Sequence, residues 1–325
     1  MIKGVGVITG TKDDVELIEF FILHHLRIGF KKIHIMDFNS TDGTRDILKK
    51  YMDHPQLDII LSEASHGTPN LHRWLRLRAY LDSDTDHVIY LDPDEMMVLK
   101  PKVTINDVII ADPRVVNEFP RYNITNPIAL KDGLNHRLLM NLHKMYFHTP
   151  LVRINFPIRP ENEWIEWIKQ PIPSKVLHQK VPVVVSLGGH YALGPSIEEL
   201  YYSGQAFIAH FPVTTYDRML KKISNLRSLI LQNPHLSGVF LRYIRICYVH
   251  DQGLAEEMFN SIYLEKEVLM TLIGCNQVSS AKELLNKTSG SVDINGKKPQ
   301  TGRYYSISMD MAHEMHEELI KATYP

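Results

Sequence analysis

The apolar positions of this chain fall into short β-branched runs separated by longer amphipathic segments. Val5 to Thr9, Ile33 to Phe38, Leu57 to Leu61 and Val88 to Leu91 are such runs. Each has strand length and a nearly continuous apolar character, which marks strands buried on both faces of a parallel sheet. Between them lie helical patterns: a long one opened by Asp13 and Asp14 and running to Ile28, one over Arg45 to Tyr51, and a basic amphipathic one over Asn70 to Leu81. Gly29 is placed to end the first. Strand–helix alternation of this kind predicts right-handed βαβ units. The expected fold class is α/β, a Rossmann-like, mostly parallel sheet flanked by helices.

Beyond Leu99 the periodicity weakens. A short helix is expected over Asn106 to Ala111, and strands over Arg114 to Tyr122, Val181 to Leu187 and Ala206 to Phe211. The stretch from Asn123 to Pro173 is rich in Asn, Pro, His and aromatics, a composition suited to binding loops. From Thr215 the pattern turns helical, through Leu220, Ile223 and Leu226, with further helices expected over Ser237 to His250, Gly253 to Tyr263 and Val268 to Ile273. A boundary is therefore expected at 214, between a catalytic domain of residues 1–214 and a helical C-terminal region of residues 215–325.

The fourth apolar run carries the chemistry. It ends in Asp92-Pro-Asp-Glu95. Ligands of open α/β sheets bind at the carboxyl ends of strands, so these acids stand where a site belongs. In an extended chain residues i and i+2 point the same way, and Asp92 and Asp94 would then converge. Converging carboxylates need a proton or a cation between them, and all-oxygen ligands suit Mg²⁺ or Mn²⁺. An acidic turn after a strand is the plainer alternative. Asp37, at the end of the second run, is placed to accept from a nucleobase or ribose hydroxyl; Asp42 serves either a ligand or the start of the next helix. His190, behind two glycines, and His210 each end an apolar run. Arg121, Arg153, Lys175, Lys221 and Lys222 are the cations available to a diphosphate. Trp164 and Trp167, near Glu161, Glu163 and Glu166, suit either a sugar-stacking loop or a turn of amphipathic helix.

Three blocks in order carry a resemblance: Lys12 to Gly29, Ile35-Met-Asp-Phe-Asn-Ser-Thr-Asp-Gly-Thr44, and Tyr90-Leu-Asp-Pro-Asp-Glu95. They resemble the family 2-type glycosyltransferases, and within them the branch related to family 92, the "domain of unknown function 23" enzymes. Lys175 to His190 and His210 to Asp217 extend the likeness, which covers roughly residues 3 to 225. The chain departs from the pattern at Phe38 and Asn39, where a further acid is usual, and over Asn117 to Asn123, where an aromatic-glycine segment is usual. The resemblance implies a glycosyltransferase-A fold and a metal-dependent hexosyltransferase that inverts its sugar. By it, Asp92 and Asp94 are the DxD metal motif and His190 a third metal or diphosphate contact. Thr9, Asp13, Asp37, Asp42, Arg78, Asp92, Lys175 and His210 are the candidate donor contacts. Asp94, Glu118 and Glu163 are the candidate catalytic residues. A sugar nucleotidyltransferase is the alternative, although Thr9-Gly-Thr-Lys-Asp13 is a poor match for its glycine-rich basic loop; a non-catalytic carbohydrate-binding protein is another.

Composition narrows the partners. A formal net charge of −1 removes any electrostatic case for nucleic acid. Two cysteines, Cys247 and Cys275, build no disulfide framework. A strand is expected at the very start, by which no signal peptide is expected, and no apolar run reaches the roughly 18 residues of a membrane span. A cytoplasmic location is expected. So are a UDP- or GDP-sugar donor and a saccharide or glycolipid acceptor. The helical tail is compatible with a peripheral membrane contact or a homo-oligomer.

Overall fold

The computed structural model describes residues 2–64, 71–127, 141–149, 172–232, 246–247, 250–293 and 304–307. Its elements alternate as the apolar pattern predicts: β1 (Val5–Thr11), α1 (Ile18–Arg27), β2 (Lys32–Phe38), α2 (Thr44–Lys49), β3 (Leu57–Ser62), α3 (Leu71–Leu81) and β4 (His87–Tyr90). There follow β5 (Glu95–Leu99), β6 (Val115–Phe119), β7 (Arg121–Asn123), β8 (Lys175–Gln179), β9 (Val183–Ser186), β10 (Glu199–Tyr202) and β11 (Ala206–His210). The rest comprises α4 (Tyr216–Gln232), α5 (Ala255–Ser261), α6 (Lys266–Gly274) and β12 (Gly290–Asp293), with shorter pieces between.

The main sheet has eight strands in the order β12-β10-β6-β8-β4-β1-β2-β3. β1 pairs in parallel with β2 and β4, and β2 with β3. β8 lies antiparallel between β4 and β6, and β12 lies antiparallel on β10; the other six strands run one way. This is the α/β fold expected, a mostly parallel sheet with helices against it. Both faces are covered, which is why the strands read as continuous apolar runs. Val5, Val7, Ile33, Ile35, Ile89 and Leu91 enter one core with Phe20 and Phe21 of α1. Ile8, Met36, Phe38, Val88 and Tyr90 enter the other with Leu75, Leu77 and Tyr80 of α3. Successive strand residues point to opposite faces, so one run supplies both cores.

Several boundaries differ from expectation, each for a local reason. α1 starts at Ile18, because Asp13 adopts a left-handed conformation (φ 56°) and its backbone N–H is used by Ser40 Oγ (2.9 Å). The strand expected over Arg114 to Tyr122 breaks at Pro120, which cannot donate to a ladder. Its first half joins the main sheet and its second half, β7, joins a three-stranded sheet in the order β5-β11-β7. The run near Val183 forms β9 in a separate small sheet, and Lys175–Gln179 takes the main-sheet place instead. The helix expected at Asn106 is a single 3₁₀ turn, Ile105–Asp107. The C-terminal region is not wholly helical, since β12 returns to extend the main sheet. The helix expected over Ser237 to His250 falls largely outside the described residues. Among the described residues no helix is long and apolar enough to cross a membrane.

At the amino edge of the sheet, away from the acid-tipped turn, His34 lies between Asp58 (2.9 Å) and Asp82 (3.4 Å). Arg78 closes the network on Asp58 with contacts of 2.5 and 3.1 Å. Burial works to raise both carboxyls, but His34 and Arg78 beside Asp58, and His34 with the Asp84 backbone N–H beside Asp82, bring each down to about 2. Depressed folded values stabilise above the ordinary carboxylate value, and that stability is lost as pH falls through about 2. Denaturant midpoints measured from pH 5 downward should therefore fall less steeply in Asp58→Asn than in the unmodified protein; an unchanged slope would contradict the network's role.

Candidate active site

The carboxyl edge of the sheet is built around the turn after β4. The Glu95 N–H donates to the Asp92 carbonyl (2.9 Å), so Asp92 to Glu95 is a tight turn with Pro93 at its second position. The extended geometry expected there is absent. Within this turn Asp92 and Asp94 take different cations, while the charge of Asp94 still acts on Asp92. The Glu95 side chain folds back to accept from the Asp92 N–H (2.8 Å).

Each carboxylate meets its own cation. Lys175, wholly buried at the start of β8, bridges Asp92 Oδ2 (3.0 Å) and Glu95 Oε2 (2.8 Å). Arg121 of β7 pairs with the other oxygen of Glu95 and donates to the Pro173 carbonyl (3.0 Å). Asp94 receives Lys222 Nζ (2.8 Å) and Arg218 Nη2 (3.4 Å) on the same oxygen, and its other oxygen faces His210 Nε2 at 3.7 Å. Arg218 also holds Asp14 (3.0 Å). Burial would raise Asp94, but Lys222 and Arg218 hold it well below the usual carboxylate range. Asp92, partly desolvated, is likewise held below its ordinary value by Lys175. Burial pushes Asp14 and Glu95 upward despite their partners. The three-stranded sheet sets this arrangement: its register puts Glu95, His210 and Asn123 side by side, and His210 Nδ1 lies 2.6 Å from Asn123 Oδ1.

His190 reaches the same cluster. Its Nδ1–H donates to the Ser174 carbonyl (2.8 Å), which leaves Nε2 as the lone-pair nitrogen. Burial, with Lys175 and Arg121 nearby, brings it down to about 3, so it is neutral. The two glycines before it have a structural use. Gly189 (φ +72°) lies so close to Tyr90 that an added Cβ would stand 2.9 Å from the Tyr90 Cβ.

The loops after β1 and β2 interlock beside this cluster. Asp37 is fully buried; it accepts from the Ser40 N–H (3.2 and 3.3 Å) and is ion-paired with Arg45, whose Nε lies 3.3 Å away. Asp13 accepts from the Thr41 N–H (2.7 Å) and Asn225 (3.2 Å). Asp42 accepts from the Thr44 N–H (3.0 Å) and hydroxyl (2.6 Å) and from the Val15 N–H (3.1 Å), which is the helix-start role. Thr9 is buried, and its hydroxyl has no partner among the described residues. Thus Asp13, Asp37 and Asp42 serve their own loops, and the open carboxylate expected at Asp37 is not presented to solvent. Arg78 belongs to the opposite edge, on Asp58, because α3 runs antiparallel to the strands. Glu118 is half-buried near the end of β6, on the face of Val116. Glu163, Arg153, Trp164 and Trp167 lie outside the described residues.

Sequence reasoning missed Arg218, Asn225 and Glu16, which come from or clasp the segment beyond 214. Thr214 Oγ1 and Thr215 Oγ1 both donate to Glu16, the first at 2.7 Å. The start of α4 is therefore fastened to the segment after β1. A polar i, i+4, i+7 face on α4 (Arg218, Lys222, Asn225) was the available signal.

Among the described residues no three His, Cys, Asp or Glu side chains group so as to hold a metal ion. Asp94 is engaged by cations. Asp92 alone offers an open carboxylate: its side chain is 40% exposed.

No protein family and no curated protein matches the sequence. Solved structures similar to it include S. aureus TarS residues 1–349 in complex with UDP, with 18% identity over 55% of this chain and 47% of that chain, at a TM-score of 0.31. The same protein in complex with UDP-GlcNAc gives 14% identity over 55% and 45%, at 0.32. The chain thus spans about half the length of the structures it matches.

Removing the Asp94 charge strands two buried or half-buried cations. Asp94→Asn should cost about 3 kcal/mol in chemical denaturation, the scale of a broken buried pair. A loss below about 1 kcal/mol, the scale of an exposed pair, would contradict that assignment.

Proposed function

We propose that this protein is a nucleotide-sugar-dependent glycosyltransferase. The observation that carries the reading is a charge-matched acid cluster at the carboxyl edge of a mostly parallel sheet, with one carboxylate, Asp92, left open. Such an edge is where α/β proteins take nucleotides. The ordered blocks that resemble family 2-type glycosyltransferases supply the reaction. The donor's nucleoside lies along the interlocked loops after β1 and β2, and its diphosphate lies against the turn after β4. Asp37 and Asp13 shape the nucleoside site by fixing those loops.

Mn²⁺ or Mg²⁺ is part of the proposal, and the donor set suits it in one way. Mg²⁺ is usually held by one or two carboxylates together with substrate phosphates and waters. Asp92 supplies one open carboxylate, with the neutral His190 in the same cluster. When bound, the cation would neutralise charge on the diphosphate. This chain's own residues do the rest. Lys175 orients Asp92; Glu95 holds Lys175 and Arg121 in place; Asp94 anchors α4. In the transfer, the acceptor hydroxyl oxygen bonds to the anomeric carbon as the bond to the diphosphate breaks. The leaving group takes the electron pair, and the hydroxyl proton passes to a base on the acceptor side, a role expected of Glu118 or Glu163. Inversion, a hexosyl donor and a saccharide or glycolipid acceptor complete the reading.

The test is thermal stability against UDP-, GDP-, CMP- and dTDP-sugars, with and without Mn²⁺. A ligand at 100 times its Kd should stabilise the folded state by about 2.7 kcal/mol. We expect one nucleotide class to do so, with the Mn²⁺-dependent part lost in Asp92→Asn. No stabilisation by any donor would overturn the transferase reading in favour of a binding protein of the same fold.

A further inference from the structure

Five cations are available to a diphosphate in the sequence, and the structure separates them. Lys175 is fully buried between Asp92 and Glu95. Arg121 is 10% exposed and fixed by Glu95 and the Pro173 carbonyl. Lys221 acts on Asp13, and Arg153 lies outside the described residues. Lys222 differs. Its side chain is 28% exposed, against 7% for Arg218 on the same helix. Its partner Asp94 does not depend on it alone, because Arg218 stays on that carboxylate if Lys222 leaves. Its remaining contact is a 3.4 Å hydrogen bond to the Pro212 carbonyl. The carboxylate it holds, Asp94, is two residues along the turn from Asp92, the open carboxylate.

Charge counting points the same way. Asp14, Asp92, Asp94 and Glu95 face Lys175, Arg121, Arg218 and Lys222, so the cluster is neutral before any ligand arrives. A diphosphate brings negative charge to a poorly solvated edge, where it must find a cation. Of the four, Lys222 is the most exposed, and its acid keeps a second cation, Arg218, when it turns away.

Resting on the transferase reading, we propose that Lys222, from the helical region, is the protein cation that meets the donor's diphosphate and stabilises it as a leaving group. Its ammonium turns from Asp94 to a diphosphate oxygen while Arg218 keeps Asp94 paired. As the sugar–oxygen bond breaks, its electron pair goes to that diphosphate; the acceptor oxygen forms the new bond, and its proton leaves to the acceptor-side base. Lys222 gains and loses no proton.

Calorimetric titration with UDP and GDP, each against its monophosphate in the presence of Mg²⁺, tests this. Lys222→Met keeps the aliphatic stem and Lys222→Arg keeps the charge. For the diphosphate that binds the unmodified protein, Lys222→Met should lose about tenfold in affinity, the monophosphate should change by less than about twofold, and Lys222→Arg should restore most of the loss. Unchanged diphosphate affinity in Lys222→Met would overturn the assignment. So would equal losses for mono- and diphosphate, the mark of a merely structural lysine. If the unmodified protein binds neither diphosphate, the transferase reading itself falls, an outcome distinct from both.

Discussion

The structure depends on how four carboxylates are kept at one sheet edge. Asp14, Asp94 and Glu95 are largely out of water, and an isolated buried charge is very costly. Each is retained because a cation from a distant part of the chain reaches it: Lys175 from β8, Arg121 from β7, Arg218 and Lys222 from α4. Breaking one side of a buried pair costs more than the pair's net contribution to stability. The edge is therefore complete only when the antiparallel strand, the small three-stranded sheet and the C-terminal helix have all docked. The same requirement explains why β8 must lie between β4 and β6: its first residue is Lys175, and that register sets the ammonium against the turn.

This has a consequence for binding. A cluster that is already neutral does not attract a diphosphate strongly by net charge. On the proposed reading it would offer instead an exchange of partners, in which one acid or one cation turns from its internal partner to the ligand. The groups able to exchange are those that face solvent, Asp92 and Lys222, and they carry opposite signs. The remaining pairs hold fixed positions and supply a preorganised frame, which is where electrostatic stabilisation of a reacting group is most effective.

Much of this was legible in the sequence. The strands of the βαβ half were visible as apolar runs because burial on both faces leaves no polar alternation to blur them. Asp92, His190 and His210 stood out by chemistry and position, and they lie at one edge with Lys175 and Lys222, two of the five cations that the sequence offered without ranking them. Directions were not legible. A Pro after Asp92 suits an extended chain and a turn alike, and only the Glu95 N–H, committed to the Asp92 carbonyl, decides between them. Asp37 had the right place after a strand, yet its carboxylate is taken up by the Ser40 N–H two residues into the loop. Arg78 was misjudged because amphipathic spacing does not say which end of a helix faces the carboxyl edge.

The change of pattern near Thr214 shows how a boundary in periodicity can mislead. Apolar spacing switches from sheet-like to helix-like there, which suggests a separate unit. The polar face of the same helix argues otherwise: Arg218, Lys222 and Asn225 recur at helical spacing and end on Asp14, Asp94 and Asp13, more than a hundred residues earlier in the chain. Apolar periodicity reports which face of a helix is buried, and polar periodicity reports what the opposite face is for. When charged residues on one stripe of a helix find buried acids on another element, the helix belongs to the site whatever its hydrophobic pattern says. α4 is thus part of the charge cluster at the sheet edge, and without it Asp94 and Asp14 lose Lys222 and Arg218.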